Sequence, residues 1–325
     1  MVLILGRGDL EELLTMEEVL DALEIGFREL KEGRCVVPVR FHLEVKEYEG
    51  QFLFMPAYLS GLKGCGTKAV SVFPQNTSQG KPTIFASYIL NDPTSGELLA
   101  LMEASLLTGI RTGGASALAT RYLARENARV LGVIGTGFQA EFQVKAIRAV
   151  RPIQEVWAYD VDLDKLESFS RFLAPTLPVH QAVDSGEVVR RSDILVTATT
   201  SKTPVFSGRD LRPGTHINAI GAFLPTMREV DEETIRRASI VVDTFEGCLA
   251  EAGDLLIPIH GGKLKREAIH GDLGDLVTGR KKGRKSSEEV TLFKSVGFAM
   301  EDLVVAQKVY QKAIREGKGQ RIEML

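Results

Sequence analysis

The length and composition of the chain favour globular domains with filled cores. Its 325 residues are 44% hydrophobic and 26% charged, which supplies enough apolar side chains for two cores and excludes disorder as the default. The 40 basic and 43 acidic residues give a net charge of −3, so no overall field attracts nucleic acid or an anionic membrane. Any ligand must therefore be recognised locally.

The N-terminal segment and the cysteines indicate a cytoplasmic protein. After Met1 the chain has only a short apolar run before acids appear, which is unlike a secretory signal peptide. No apolar run approaches the roughly 20 residues that span a bilayer. The three cysteines are widely separated, and the five histidines lack metal-ligand spacing. We expect reduced thiols, no metal site, and neither nucleic acid nor membrane as a partner.

The first part of the chain has the pattern of an α+β domain. A helix is predicted around residues 17–32, and β-rich runs such as QFLFMPAYL and TIFASYIL follow it. The turn-forming residues 91–96 favour a hairpin and an antiparallel sheet. Residues 106–124 look helical, although their glycines weaken a helix and indicate tight packing or close approach of a ligand.

From residue 129 onward, apolar strand-like runs alternate with amphipathic segments. The runs are VLGVI, EVWAYD, SDILVTATT, THINAIGA and SIVVDT, with helices predicted near residues 138–150 and 164–173. These runs are too continuously apolar to have one face in water, which is typical of a parallel sheet covered on both sides by helices. The predicted fold class is α/β, with a Rossmann doubly wound sheet plus the α+β domain. Residues 295–317 predict a long helix that completes one of the two domains.

A glycine-rich sequence follows the first strand of the alternating pattern. Residues 135–140 read GTGFQA, which matches GxGxxA, opens a helical pattern and precedes Asp160 at the end of the next strand. Glycines let a pyrophosphate approach the backbone, and the positive end of the helix attracts its charge. Asp160 can accept hydrogen bonds from the adenine ribose and would repel a 2′-phosphate. NAD(H) is therefore favoured, with NADP(H) as the alternative.

The ends of two later strands are predicted to contact the nicotinamide and its ribose. Ligands of doubly wound sheets bind outside the carboxyl ends of the strands, near the point where the strand order reverses. The segments TATTS (197–201) and AIGAF (219–223) both end strands of this domain.

Three cations are candidates for binding the carboxylate of a small amino or imino acid. A planar guanidinium can hold a carboxylate through two hydrogen bonds, and Arg111 has flanking glycines that leave room for a ligand. Arg40 and Lys68 lie in apolar strand-like runs, where a cation needs an anionic partner. The alternative for each is a side chain that reaches solvent or pairs with a structural carboxylate.

Several separated motifs resemble the ornithine cyclodeaminase/μ-crystallin family. They are the glycine loop, RTGGASALA before it, NAIGAFLPTMREVD after it, and the late run GDLGDLVTG…EEVTLFKSVGFAMEDL. The resemblance covers almost the whole chain. It implies a substrate-binding and dimerisation domain at residues 1–115, a Rossmann NAD-binding domain at 116–295, and a C-terminal helix at 296–325 that returns to the first domain. It also implies a homodimer.

The resemblance assigns roles to individual positions. Arg40, Lys68 and Arg111 match cationic substrate positions, with Arg111 as the carboxylate clamp, and Lys68 is the catalytic candidate. Val296 matches a wall of the substrate pocket. The positions predicted to lie near the cofactor are Thr83, Arg111, Thr112, Gly135, Thr136, Gly137, Phe138, Gln139, Asp160, Thr199, Thr200, Ser201, Ala219, Ile220, Gly221, Ala222 and Ser295.

Phe223 is the most informative departure from the cyclodeaminase pattern. Cyclodeaminases have an aspartate there, which can hold the distal amine of ornithine, and burying that ammonium without a partner is costly. A phenyl ring suits an apolar substrate ring. The closest match is therefore an NAD(P)H-dependent imine reductase, with Δ1-pyrroline-2-carboxylate reduced to L-proline as the leading reaction and Lys68 as proton source or carboxylate partner. The alternatives are ornithine cyclodeaminase, archaeal-type alanine dehydrogenase and a μ-crystallin-like binding protein.

Overall fold

A computed structural model describes residues 1–323, and the chain divides into two compact units. Unit 1 comprises Met1–Arg111 together with the C-terminal segment from Phe298, and unit 2 comprises Thr112–Gly297. The predicted boundaries at residues 115 and 296 lie within a few residues of these limits. The roles predicted for the segments, substrate binding and dimerisation, stay predictions.

The strands and helices alternate along the chain as follows. The strands are β1 (Val2–Leu5), β2 (Cys35–Val36), β3 (Phe41–Val45), β4 (Gly50–Leu59), β5 (Gly64–Val72), β6 (Ile84–Asn91), β7 (Leu98–Glu103), β8 (Val130–Ile134), β9 (Glu155–Tyr159), β10 (Val179–Gln181), β11 (Ile194–Thr197), β12 (His216–Ala219), β13 (Ala238–Val242), β14 (Gly271–Asp272), β15 (Val290–Lys294) and β16 (Gln320–Ile322). The helices are α1 (Arg7–Leu13), α2 (Met16–Lys31), α3 (Ala104–Leu123), α4 (Phe138–Arg148), α5 (Leu163–Leu173), α6 (Ser185–Arg191), α7 (Glu232–Arg237), α8 (Phe245–Glu251), α9 (Gly253–His260), α10 (Leu273–Val277) and α11 (Ala299–Glu316).

Unit 1 is built on a largely antiparallel sheet with helices on one face. The strand order is β16-β1-β7-β6-β5-β4-β2, with β3 also paired to β4, and only the β1–β7 pair is parallel. The predicted hairpin is confirmed, because β6 and β7 pair through the 91–96 turn. Helix α2 starts at a capping box between Thr15 and Glu18 and packs beside α11. Their contact is close because Gly26 lies against Met300, where a Cβ would collide.

Unit 2 contains a parallel sheet, as the continuously apolar strands predict. The order is β10-β9-β8-β11-β12-β15-β13-β14, and every pair in it is parallel. Strand β8 has β9 on one side and β11 on the other, so the strand order reverses there. Two apolar clusters pack with the sheet and its helices. The predicted α/β Rossmann fold class is confirmed.

The C-terminal helix begins later than its apolar pattern predicts. It starts at Ala299, so Ser295 and Val296 lie outside it in the segment that follows β15. The backbone N–H groups of Val296 and Gly297 donate to the Asp243 carboxylate at 2.8 and 2.7 Å, and Gly297 has φ of +69°. A left-handed residue interrupts a helix, which explains the delayed start.

Neither a membrane-crossing helix nor a metal-binding cluster is found among the described residues. Within residues 1–323 no helix is both long and apolar enough to cross a membrane. Over the same range, no group of three or more His, Cys, Asp or Glu side chains has an arrangement that could hold a metal ion.

Candidate functional site

A buried cluster of charges lies in unit 1, where β5, α3 and α11 meet. Lys68 Nζ donates to Asp302 Oδ1 at 2.8 Å and to Thr108 Oγ1 at 3.1 Å. Arg111 donates from Nε to Asp302 Oδ1 at 3.1 Å and from Nη1 to Glu301 Oε2 at 2.6 Å. Asp302 therefore bridges both predicted cations, which the fold brings together from positions far apart in the sequence.

Burial of this cluster changes the proton affinity of Lys68. Burial, together with the positive charges of Arg111 and Arg40, lowers the pKa of Lys68 to about 8, although Asp302 opposes the change. A lysine normally stays protonated well above neutral pH. Here its pKa lies close to the pH of the cell, where a side chain can both give and take a proton.

The other predicted residues of unit 1 occupy different positions. Arg40 lies in the loop before β3, half-buried, and its charge acts on Lys68. Thr83 lies just before β6, and its carbonyl accepts a hydrogen bond from the Phe73 N–H at 2.8 Å. Tyr88 pairs with Lys68 across β5 and β6 and is fully buried. Arg40 and Tyr88 therefore lie in the environment of Lys68. For Thr83, the contact is a backbone hydrogen bond with Phe73.

The glycine loop of unit 2 has the geometry that a pyrophosphate requires. It connects β8 to α4, and Gly135 adopts φ of +91° where a Cβ would collide with the backbone of Ala198. Helix α4 begins after Gly137, where no side chain caps the helix and a Cβ would meet no atom within 4 Å. The N-terminal end of α4 is thus accessible at the point where its N–H groups favour an anion. These residues fit a dinucleotide.

Asp160 is held beside this loop at the end of β9. Its Oδ2 accepts hydrogen bonds from the Thr136 N–H at 2.7 Å and from Thr136 Oγ1 at 3.1 Å, and its Oδ1 accepts one from the Asp162 N–H at 2.9 Å. These contacts orient the carboxylate and couple it to the glycine loop. That is the position from which an acidic residue contacts an adenine ribose in this kind of fold.

The remaining positions that were predicted to lie near the cofactor differ in exposure. Phe138 is half exposed, with its ring 5.1 Å from that of Phe142, and Gln139 is half-buried at the start of α4. Residues 199–201 lie in the loop after β11, and Thr200 is exposed in this loop. Ala219 ends β12 and residues 220–222 follow it. Ser295, which follows β15, donates to Asp243 Oδ2 at 2.9 Å. Thr112 is buried in α3.

Phe223 and Val296 belong to one apolar cluster of unit 2. Val296 is a buried member of it, and Phe223 packs against it while staying partly accessible. Met227, four positions after Phe223 in the same loop, is also buried. The loop after β12 thus carries an apolar side chain at position 223, where the cyclodeaminase pattern has an aspartate.

Buried carboxylates stabilise the edge of the unit 2 sheet at which the carboxyl ends of its strands lie. The sequence patterns did not reveal these carboxylates. Glu229 accepts hydrogen bonds from both strand-end loops, and Asp254 accepts the N–H groups of Glu229 and Val230 at 2.6 and 3.0 Å. Lys294 pairs with Asp254 at 2.9 Å, with neither side chain exposed. Burial and Asp254 raise the pKa of Glu229, whereas Lys294 opposes that rise. The edge is therefore held by charges rather than by apolar packing alone.

Lys294 lies in a sequence pattern that could have revealed it. It ends the apolar run VTLFK, and the argument applied to Lys68, that a cation among apolar residues needs an anionic partner, applies to it equally. Glu301 and Asp302 have a weaker signal. They occupy the first turn of α11, where acids are common because they interact with the helix dipole.

The fold and these residues define a class of protein: a dinucleotide-binding α/β protein whose unit 1 carries a buried lysine and a buried arginine that share the carboxylate of Asp302. The chain belongs to the ornithine cyclodeaminase/mu-crystallin family, whose model matches residues 2–317. The resemblance seen in the sequence motifs is thereby confirmed.

Individual relatives cover nearly the full length. A Δ1-pyrroline-2-carboxylate reductase of Bacillus cereus is 41% identical over 325 residues, covering 99% of this chain and 100% of the relative. The structure of Thermococcus litoralis Δ1-pyrroline-2-carboxylate reductase in complex with NADH and L-proline matches with a TM-score of 0.96 and 41% identity, covering 99% of this chain and 100% of that one. An archaeal alanine dehydrogenase dimer with bound NAD matches with a TM-score of 0.93 and 38% identity, covering 100% and 99%.

Proposed function

We propose that this chain is an NADH-dependent reductase of a cyclic imino acid, with Δ1-pyrroline-2-carboxylate as substrate and L-proline as product. The observation that carries the proposal is the buried Lys68, whose pKa of about 8 suits a proton donor and which shares Asp302 with Arg111. The full-length similarity to two reductases of this specificity supports the choice of substrate.

Arg111 and Arg40 are assigned to the substrate carboxylate. The guanidinium of Arg111 is held in place by Glu301 and Asp302, so its orientation is set before a substrate arrives. A pre-oriented guanidinium can accept a planar carboxylate at little entropic cost. Arg40 adds a second positive charge close to Lys68. Holding the carboxylate in this way fixes the position of the adjacent C=N bond.

Lys68 is assigned to the imine nitrogen. An imine accepts hydride readily only once its nitrogen is protonated, and the ammonium of Lys68 can supply that proton. NADH supplies a hydride to the imine carbon when it is bound. The C=N double bond becomes a C–N single bond, with a new C–H bond from the hydride and a new N–H bond from the Lys68 proton, and Lys68 regains its proton from solvent. Asp302 holds the Lys68 amine in place throughout.

Phe223 and Val296 are assigned to the apolar ring of the substrate. Both side chains belong to one apolar cluster, and neither can pair with a distal ammonium. This arrangement supports a pyrroline ring over ornithine. Alanine dehydrogenase stays the second candidate, because a relative with that activity is 39% identical over 99% of this chain.

A substrate panel tests the proposal. We expect NADH loss with Δ1-pyrroline-2-carboxylate in the absence of ammonia. Alanine dehydrogenase would need pyruvate together with ammonia, and a cyclodeaminase would release ammonia from ornithine without net NADH loss. Tight ligand binding without turnover on any substrate would indicate a binding protein instead. Faster turnover of pyruvate with ammonia than of the cyclic imine would overturn the proposal.

The pH dependence of the reaction should follow Lys68. We expect kcat/KM for imine reduction to fall as the pH rises through about 8, because the ammonium form that donates the proton is lost there. Proline oxidation should show the opposite trend, since it needs the free amine. In Lys68→Arg the inflection near this pH should disappear from the residual activity, because arginine stays protonated. An unchanged inflection in that variant would assign the titration to another group.

Asp160 should set the cofactor preference. Replacing Asp160 by Ala is expected to weaken NADH binding by about 10- to 100-fold, the loss of one hydrogen bond to a charged group. The preference for NADH over NADPH should shrink at the same time, because the charge that repels a 2′-phosphate is gone. Fluorescence titration with both cofactors measures this. If NADH and NADPH binding were weakened equally, the substitution would have disturbed only the glycine loop.

The dimer is assigned to the helix-free face of the unit 1 sheet. Along β4, Leu53, Met55 and Ala57 are buried, whereas the alternate residues Phe54 and Tyr58 are exposed on the other face. Phe41 of β3 lies opposite Phe54 and is also exposed. A contiguous apolar face of this kind marks an interaction surface, and a related structure is a dimer, which supports a second copy as its occupant.

The oligomeric state tests this assignment. Wild-type protein should sediment as a dimer, and the double variant Phe41→Glu with Phe54→Glu should sediment as a monomer. A matched change on an exposed helix residue, Phe172→Glu, should leave the dimer intact. A double variant that stays dimeric would place the interface elsewhere.

The cytoplasm is the proposed location of the reaction. Cys35, Cys65 and Cys248 are all free thiols, which is consistent with a reducing compartment. Fractionation of the source cells, with NADH-dependent imine reduction as the assay, tests this.

A further inference from the structure

Glu229 joins two loops of unit 2 through one buried carboxylate. Its Oε1 accepts hydrogen bonds from the Thr199 N–H at 2.7 Å and from Thr199 Oγ1 at 2.9 Å. Its Oε2 accepts them from the N–H groups of Gly221 and Ala222 at 2.7 and 3.2 Å. The side chain is fully buried, so no water competes for these contacts. One carboxylate thus satisfies donors from two separate segments of the chain.

The two loops lie at the edge of the sheet where ligands bind in this fold. They follow β11 and β12, which are adjacent parallel strands with Thr197 paired to Ala219. The loops approach so closely that a Cβ on Gly221 would collide with the backbone of Thr199. Gly135 of the glycine loop approaches the same region, because a Cβ on it would lie 2.7 Å from the Ala198 carbonyl oxygen. A small change in the spacing of the loops after β11 and β12 would therefore also displace the glycine loop after β8.

The backbone of Glu229 is itself held in place by a second buried carboxylate, that of Asp254. Asp254 accepts the N–H groups of Glu229 and Val230, and Lys294 of β15 pairs with Asp254. Strand β15 pairs with β12, so this chain of contacts returns to the strand that ends at one of the two loops. Glu229 is consequently held at both its backbone and its carboxylate.

We propose that Glu229 is a positioning residue for the cofactor: it sets the spacing between residues 199–201 and 221–223 and thereby the geometry with which this edge holds NADH. The inference rests on the proposed function for the identity of the dinucleotide. The sequence motifs did not indicate this role, because Glu229 acts through the two loops and does not contact the cofactor itself. A residue that served stability alone would leave cofactor affinity unchanged in folded protein.

The substitution Glu229→Gln separates these roles. The amide keeps the shape of the side chain, but its NH2 group must face the N–H donors of one loop, so that loop loses its acceptor and shifts. We expect the Kd for NADH, measured by fluorescence titration without imino acid, to rise by about 10- to 100-fold. Glu229→Asp keeps the charge but is one methylene shorter, and should give a smaller rise.

Asp193→Asn is the matched control, because it lies at the opposite edge of the same sheet. Asp193 also accepts two backbone N–H groups, those of Arg129 and Val130, at 2.8 and 3.0 Å. This variant should lower the melting temperature and leave the Kd for NADH unchanged. All titrations are done below the melting temperature of each variant, measured by circular dichroism.

The outcomes distinguish the two proposals. Folded Glu229→Gln, or folded Glu229→Asp if the amide variant does not fold, with the wild-type Kd for NADH would overturn the positioning role. An equal rise of the Kd for NADH in Asp193→Asn would also overturn the positioning role, because the rise would then follow from lower stability. Wild-type protein that does not bind NADH would overturn the proposed function itself.

Discussion

Replacing Lys68 by methionine is expected to lower kcat/KM for imine reduction by about 10²- to 10⁴-fold, the usual contribution of a positioned proton donor. Methionine has nearly the length of lysine and no proton to give, so the buried space stays filled. The Kd for NADH should stay at the wild-type value, because the predicted cofactor loop lies in unit 2. Stopped-flow and steady-state measurements of NADH oxidation, with a separate NADH titration, check both statements.

Lys312 provides the matched control for this variant. It also belongs to unit 1 and pairs with a carboxylate, that of Glu18, at 2.8 Å, but it lies away from the charge cluster. Lys312→Met should leave kcat/KM near the wild-type value. If Lys68→Met were as active as Lys312→Met, Lys68 would have no part in the chemistry.

Replacing Arg111 by methionine is expected to have the second large effect. The guanidinium is assigned to the substrate carboxylate, and two charge-assisted hydrogen bonds of about 1.5–3 kcal/mol each correspond to a loss of about 10²- to 10⁴-fold in kcat/KM. The loss should appear mainly in KM for the imino acid. Stability should fall too, by about 3–5 kcal/mol, because Glu301 and Asp302 lose a buried partner.

Arg111→Lys separates the two contributions of this residue. It keeps a positive charge near Glu301 and Asp302 but lacks the fork that binds a carboxylate through two parallel bonds. Its stability should lie close to that of the wild type, while KM for the imino acid should stay raised. If urea denaturation showed the loss of stability in Arg111→Met but KM did not change, Arg111 would have a structural role only.

The amino-acid sequence predicted the features that depend on local pattern. The order strand, GxGxxA and helix requires the cofactor loop to form within a short segment, so the pattern alone was enough to place residues 135–140 and Asp160. The parallel sheet followed from apolar runs that leave no face for water. The antiparallel hairpin followed from turn chemistry at residues 91–96.

Features that depend on distant partners could not be predicted in this way. Lys68 and Asp302 are separated by 234 positions, and nothing near Lys68 in the sequence indicates which acid meets it. Glu229 lies a few residues from Phe223 and looks like an ordinary loop acid, yet it is fully buried between two strand ends. The start of α11 also differs from the sequence pattern, because it depends on the long-range contact of Asp243 with the N–H of Gly297.

The proposed reaction moves a hydride from NADH to the carbon of a cyclic imine. The most direct measurement uses NADH carrying deuterium at both C4 positions of the nicotinamide, with Δ1-pyrroline-2-carboxylate and no ammonia, and analyses the product by mass spectrometry and NMR. We predict L-proline that carries deuterium on Cα, in proportion to the label transferred. Absence of proline, or proline without deuterium on Cα while NADH is consumed, would contradict the account.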